Sequence, residues 1–164
     1  THPTVPIGNV AVDINYDGGN IWGKTRDVTY VGRGKTDVDP LLDALAGRQG
    51  RKVKPDQFPD RGSFYRSDQF SFAKVGVPGI YLGSGTDFIG HDAGWGRDRH
   101  EEYERKSYHQ PSDQLQPDWN FDGMVENAQL GFEIGVQIAN ADHGPAWQPG
   151  DEFEAARKAS QAGP

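Results

Sequence analysis

Between Phe121 and Ala141 the chain repeats its apolar residues at helical spacing. Phe121, Val125, Ala128, Phe132 and Gly135 fall three or four residues apart, and Met124, Leu130, Ile134 and Ile138 widen the band. Asn120 stands where a capping side chain belongs, and Gly144-Pro145 closes the stretch. A helix this apolar draws its stability from packing more than from propensity. It is scaffold rather than a cofactor site, and it needs a sheet or other helices to lie against.

The rest of the chain supplies the sheet. Val10, Val12, Ile14 and Tyr16 alternate with Ala11, Asp13 and Asn15, the pattern of a strand with one more buried face. Asp17-Gly18-Gly19-Asn20 breaks it and leaves Asp17 at the strand's C-terminal end, where α/β folds place their ligands. The same residue also suits an Asx turn. Asp27–Val31 reads as a second strand. The Gly32-Arg33-Gly34-Lys35-Thr36 that follows is a glycine turn and not a phosphate loop, because the first glycine of that loop would fall at Thr29. Asp39-Pro40 opens a helix with Leu41, Leu42, Leu45 and Ala46 on its apolar face and Gly47 at its end. A short strand is expected near Val53. Ser67 or Asp68 caps a short helix with Phe70, Phe72, Ala73 and Val75 inward, and Gly76 and Pro78 stop it. Gly79-Ile80-Tyr81-Leu82 is a further strand. Alternation at these lengths predicts an α/β fold, a mixed β-sheet flanked by helices.

Length and charge narrow the partners. A chain of 164 residues suits one domain with a modest core. Its 22 Gly and 11 Pro make it loop-rich, while 8 Phe, 6 Tyr and 4 Trp argue against disorder. Net charge is −7 and no basic stripe is present, which argues against nucleic acid and anionic membrane as partners. No apolar run approaches the ~20 residues that span a bilayer. The absence of cysteine excludes disulfides, thiolate metal sites and cysteine nucleophiles. The sequence opens at Thr1 without Met or a signal peptide, as expected of a processed or excised piece.

Residues 86–107 form a long polar excursion with His91, Asp92, Trp95, His100, Glu101, Glu102 and Glu104. Loops of that length are usually functional or mobile. The histidine spacing matches no helical zinc motif, so a solvated loop is the expectation. Tyr108-His109-Gln110-Pro111-Ser112-Asp113 follows, a histidine inside a proline-fixed turn. By itself His109 reads as a turn histidine bonded to backbone, Arg66 as an ion-paired surface residue and Asp113 as a turn-former or helix cap.

Three stretches taken in order carry a resemblance. They are Asn15-Tyr16-Asp17, then Arg66-Ser67-Asp68-Gln69-Phe70-Ser71-Phe72-Ala73 running into Gly76-Val77-Pro78, then Tyr108-His109-Gln110-Pro111-Ser112-Asp113. Together they resemble the C-terminal half of the M28 family of zinc-dependent aminopeptidases, over roughly residues 5–140. The resemblance implies that Asp17 is a carboxylate ligand of one zinc and His109 an imidazole ligand of another. It implies that Tyr108 offers its hydroxyl to a tetrahedral intermediate and that Arg66 helps to hold a peptide substrate, either there or in an ion pair with Asp68. Zinc takes such ligands and keeps a position for water, and a paired site polarises the scissile carbonyl.

The resemblance also implies what lies elsewhere. The family's other ligands (a first His, a bridging Asp and a Glu) and its Glu general base precede the Asn-x-Asp strand, where this chain has nine residues before Val10. The expectation is therefore the C-terminal part of a three-layer αβα sandwich. Residues 1–143 would belong to the peptidase domain, and residues 144–164 would be a linker and a charged helix from Glu152 to Gln161. This chain alone would bind no zinc tightly, would pair with the upstream half of the domain, and would self-associate without it. Secretion or a periplasmic location is usual for relatives. Two other readings stay open: a non-catalytic peptidase-like protein-binding domain, and a zinc glutaminyl-cyclase-like enzyme.

Overall fold

The computed structural model describes residues 4–162; the first three residues of the Pro-rich N-terminal stretch lie outside them. Four strands form one mixed sheet in the order β1-β4-β2-β3. They are β1 (Asp13–Asn15), β2 (Asp27–Val31), β3 (Lys52–Pro55) and β4 (Gly79–Ser84). β1 runs parallel to β4, β3 runs parallel to β2, and the central β2–β4 pair is antiparallel. The helices are α1 (Asp39–Arg48), α2 (Gln69–Ala73), α3 (Trp95–Lys106), α4 (Asp122–Ala139) and α5 (Glu154–Gln161). This is the expected α/β architecture. Among the described residues no helix is long and apolar enough to cross a membrane.

Alternation along the strands sends side chains to two cores. Val28, Tyr30, Ile80 and Leu82 pack with Leu42 and Leu45 of α1 and with Leu130, Ile134 and Ile138 of α4. On the opposite face, Val31 and Tyr81 meet Phe64, Phe70 and Ala73, covered by Trp147 and Phe153 from the C-terminal segment. Helices and tail thus sandwich the sheet. The segment expected as a linker is packed in: Trp147 is buried, and its Nε1 donates to the Gly76 carbonyl at 2.8 Å.

Several boundaries differ from the expectations, each for a local reason. β1 is three residues long instead of seven. Its ladder starts where the Asp13 amide donates to the Pro78 carbonyl, and Pro78 has no N–H to extend the pairing. α1 passes through Gly47 and stops before Gly50, whose φ of 73° is the left-handed turn. Residues 95–106 are a helix rather than a solvated loop. Pairs such as Lys106–Glu102 and Arg99–Glu102, both at 2.7 Å, support α3 on its wet side. Trp95 and Tyr103 pack edge-on against Phe88 and Trp22 on the other side.

The largest correction concerns which face of α4 is inside. Leu130 and Ile134 are fully buried, whereas Phe121, Val125 and Phe132 are 41%, 53% and 73% exposed. The inward stripe is Gly123, Asn127, Leu130, Gly131, Ile134 and Ile138. α4 passes so close to β1 that a Cβ on Gly131 would lie 1.9 Å from the Tyr16 hydroxyl oxygen. In α2, likewise, Ala73 is buried while Phe72 and Val75 are exposed.

Two tests follow from these positions. Leu130→Ala should cost about 2–5 kcal/mol in urea unfolding, while Phe132→Ser should stay within about 0.5 kcal/mol of the parent. Asp13 is half-buried, and one carboxylate oxygen has no hydrogen-bond partner. Burial, and then the neighbouring Asp68 charge, hold its pKa above the usual carboxylate range. The folded state therefore binds that proton more readily than the unfolded chain does. Its stabilisation is present at low pH and lost as pH rises through the folded-state pKa. Asp13→Asn should raise the thermal midpoint at pH 7, and the gain should vanish below about pH 4; an equal gain at both pH values would contradict this.

Candidate active site

The parallel β1–β4 pair positions the site. Asp17 leaves the C-terminal end of β1 beside the end of β4 and is exposed. Tyr16, just before it, turns back onto α4 and donates its hydroxyl to the Asn127 carbonyl. That bond fixes the direction in which the backbone leaves β1.

A relay of hydrogen bonds orients Asp17. Gln69, fully buried, donates Nε2 to the Phe64 carbonyl at 2.7 Å and accepts from Asn15 Nδ2 at 2.9 Å. The same Asn15 Nδ2 donates to Ser67 Oγ at 2.9 Å, and Ser67 Oγ donates to Asp17 Oδ2 at 2.6 Å. Asn15 Nδ2 is the branch point: one branch runs through Ser67 to Asp17 and the other through Gln69 to Phe64, and every donor in both has an acceptor. Among the described residues Asp17 Oδ1 carries no hydrogen bond, which leaves it facing solvent as an acceptor or a ligand atom.

Tyr81 of β4 joins the group from the sheet. Burial first, and then the charges of Asp17 and Asp56, push its hydroxyl up to about 12, so it stays a neutral donor. Tyr108 adds a smaller electrostatic contribution in the same direction. His109 stacks on Tyr108 with ring centroids 3.8 Å apart. It is the one non-glycine residue with positive φ among the described residues, at 58°. A histidine held in the left-handed region is uncommon and is held by its surroundings. Here the Tyr108 amide donates to the Tyr103 carbonyl, the Tyr103 hydroxyl to Asp113 Oδ2 and Ser112 Oγ to the Lys106 carbonyl. These bonds tie the loop to α3 beside a cleft of about 230 Å³ lined by Trp22, Tyr103 and Trp119.

Asp17 thus stands at the C-terminal end of β1, while Tyr108 and His109 stack on each other in the loop that follows α3. Arg66 does not join them by any close contact. It is exposed and reaches the Arg61 carbonyl at 3.4 Å, a long bond, and it forms no ion pair with Asp68 among the described residues. Asp113 accepts from Tyr103 as a loop anchor. His91 stacks on Trp95 at 3.7 Å. His100 lies edge-on to Trp22 at 5.5 Å, and burial lowers its pKa. Among the described residues no group of three or more His, Cys, Asp or Glu stands close enough to hold a metal ion.

Ser67, Gln69 and Tyr81 are residues of this network that carry no site role in the sequence: a helix cap, a member of a motif stretch and a strand residue. Ser67 and Gln69 sit in the stretch already singled out, but their bonds reach back more than fifty positions to β1. Chain spacing gives no signal for such contacts.

Comparison with known proteins adds one finding. The model of peptidase family M28 matches residues 1–132 of the 164. No curated protein and no solved structure matches the chain. The matched span holds all four strands, the Gln69 relay and the Tyr108-His109 loop, and the chain belongs to peptidase family M28.

Proposed function

We propose that this chain is the C-terminal portion of a zinc aminopeptidase, which removes N-terminal residues from peptides. In this reading Asp17 and His109 are metal donors, Tyr108 donates to the oxyanion of the tetrahedral intermediate, and Arg66 contacts the substrate. The observation that carries it is the presentation of Asp17 at the end of β1: one oxygen is bonded to Ser67 and the other carries no hydrogen bond among the described residues.

A catalytic zinc usually takes three protein ligands. The donors present here are two, and the described residues hold no three-donor group. The residues of this chain do not fit a catalytic zinc by themselves. The uncovered surface agrees with a missing remainder. Of the two edge strands, β3 is blunted by Lys52, Lys54 and Pro55, as edges exposed to water are, whereas β1 carries neither Lys nor Pro. The exposed arc of α4 lies on the same side, continuous with Gly131 against Tyr16 and Gly135 against Ile14. A further strand on β1 and a helix on α4 would cover both and would bring the remaining ligands to Asp17. The count of two donors also favours a second reading, a peptidase-like domain that binds protein without catalysis. An intact upstream set of His, Asp and two Glu would decide for the enzyme.

In a longer chain that carries this one, Asp17→Ala or His109→Ala should lower kcat/KM on a chromogenic aminoacyl amide by at least about 100-fold. Unchanged turnover would sink the assignment. Zinc titrated calorimetrically into the present chain should bind weakly or not at all, with no change in His109→Ala. The present chain should also sediment as more than a monomer, and Phe132→Glu should shift it towards monomer. A monodisperse parent monomer would count against the uncovered interface.

A further inference from the structure

The matched family span ends at residue 132, yet the chain beyond it lies against the segment that orients Asp17. Residues 145–148 run beside the glycine turn after β2. The Asp37 amide donates to the Ala146 carbonyl at 3.0 Å, and the Gln148 amide donates to the Lys35 carbonyl at 2.8 Å. Phe153 then stacks on Phe64 at 5.9 Å and meets Phe70 at 6.2 Å, while Glu152 accepts the Tyr65 hydroxyl at 2.7 Å. Lys35 ties the arrangement together, with Nζ 2.9 Å from Asp151 and 3.0 Å from Glu152.

α5 docks as closely. A Cβ on Gly76, which has φ 92°, would lie 2.3 Å from the Arg157 amide nitrogen, and one on Gly8 would lie 2.2 Å from the Ser160 carbonyl oxygen. Arg157, nearly buried, donates Nη1 to the Val10 carbonyl at 2.9 Å, just ahead of β1. α5 is wedged between two glycines, one on each of the segments that converge at the site.

Ser67 hangs between Tyr65 and Phe70, and its anchors on both sides touch the tail. Gln69 bonds the carbonyl of Phe64, which Phe153 covers. We infer that residues 145–161 act as a positioning strap. Phe153 and Glu152 hold the Phe64–Phe70 loop, and through Ser67 and Gln69 that loop holds Asp17. Phe153 and Glu152 are positioning residues that act through the loop and touch no substrate. The functional consequence rests on the reading of Asp17 as a metal donor; the mechanical coupling does not.

Amide hydrogen exchange of the intact chain, without metal, tests the coupling. Phe153→Ala should speed exchange about tenfold or more over residues 63–72 and 13–18, and leave the start of β2 (residues 27–29) and the centre of α4 unchanged. Phe153→Leu, which keeps an apolar side chain there, should restore most of the protection. Glu152→Gln should act in the same direction and less. Uniformly faster exchange would mean a general loss of stability and would overturn the strap, as would unchanged exchange at residues 63–72. Since no metal enters the measurement, a failed zinc assignment and a failed strap remain distinguishable.

Discussion

The buried guanidinium of Arg51 holds the site end of the sheet together. It is 4% exposed, and burial lowers its pKa from the usual value. Its Nη2 donates to the Asp27 carbonyl at 2.8 Å, to Asn127 Oδ1 at 2.7 Å and to Thr25 Oγ1 at 3.3 Å, while Nη1 reaches Gln49 Oε1. Its Nε has no partner. A cation so desolvated is tolerated only where oxygens surround it, and removing one of them leaves the others around an uncompensated charge. The start of β2, the turn after α1 and the first half of α4 therefore have one permitted relation. Asn127 carries this to the site, because its carbonyl accepts from Tyr16 and Tyr16 sets the course of Asp17.

Asp27 completes the same end from the other side of β2. Its Oδ1 accepts from the amides of Thr86 and Asp87. Lys54 Nζ lies 3.0 Å from its Oδ2, a charge contact without the alignment of a hydrogen bond. The strand that starts at Asp27 thus fixes where β4 ends. A Cβ on Gly85 would meet the Asp27 carbonyl oxygen at 2.3 Å, so glycine is required where the two chains pass. The antiparallel β2–β4 pair converts this fixed end into the position of Tyr81, and Tyr81 faces Asp17 across the parallel pair.

Elements whose signal is local were legible in the sequence. β2 appears as Asp27–Val31 because its β-branched and aromatic run is bounded by turn residues. α1 was legible from Asp39-Pro40 and its leucines. The face of α4 was not, because that helix is apolar over most of its circumference and periodicity alone allowed either stripe. What selects Leu130 and Ile134 is the pair of glycines, Gly131 and Gly135, that lets β1 approach one side. α3 was missed for the opposite reason. Its residues are nearly all polar, and the few that anchor it, Trp95 and Tyr103, find their partners Phe88 and Trp22 outside the helix. In the site, the motifs singled out Asp17, Tyr108 and His109. The bonds that orient Asp17 join residues fifty or more apart and needed the fold.

The proposed half-site and the open edge meet at one strand. Asp17 lies at the end of β1, one of the two edge strands and the one without Lys or Pro. Its Asp13 carries a carboxylate oxygen without a partner and a raised pKa beside Asp68. The unpaired backbone edge and the apolar arc of α4 lie on the same side, while Asp13 points to the other face of the sheet, beside Asp68. In a finished α/β layer each would be a fault, since buried polar groups and helix faces are almost always satisfied. On the opposite edge, β3 shows what this chain does with a strand meant for water: it exposes Lys52 and Pro55. The contrast between the two edges is what favours further protein on the β1 side in the proposed reading, next to Asp17.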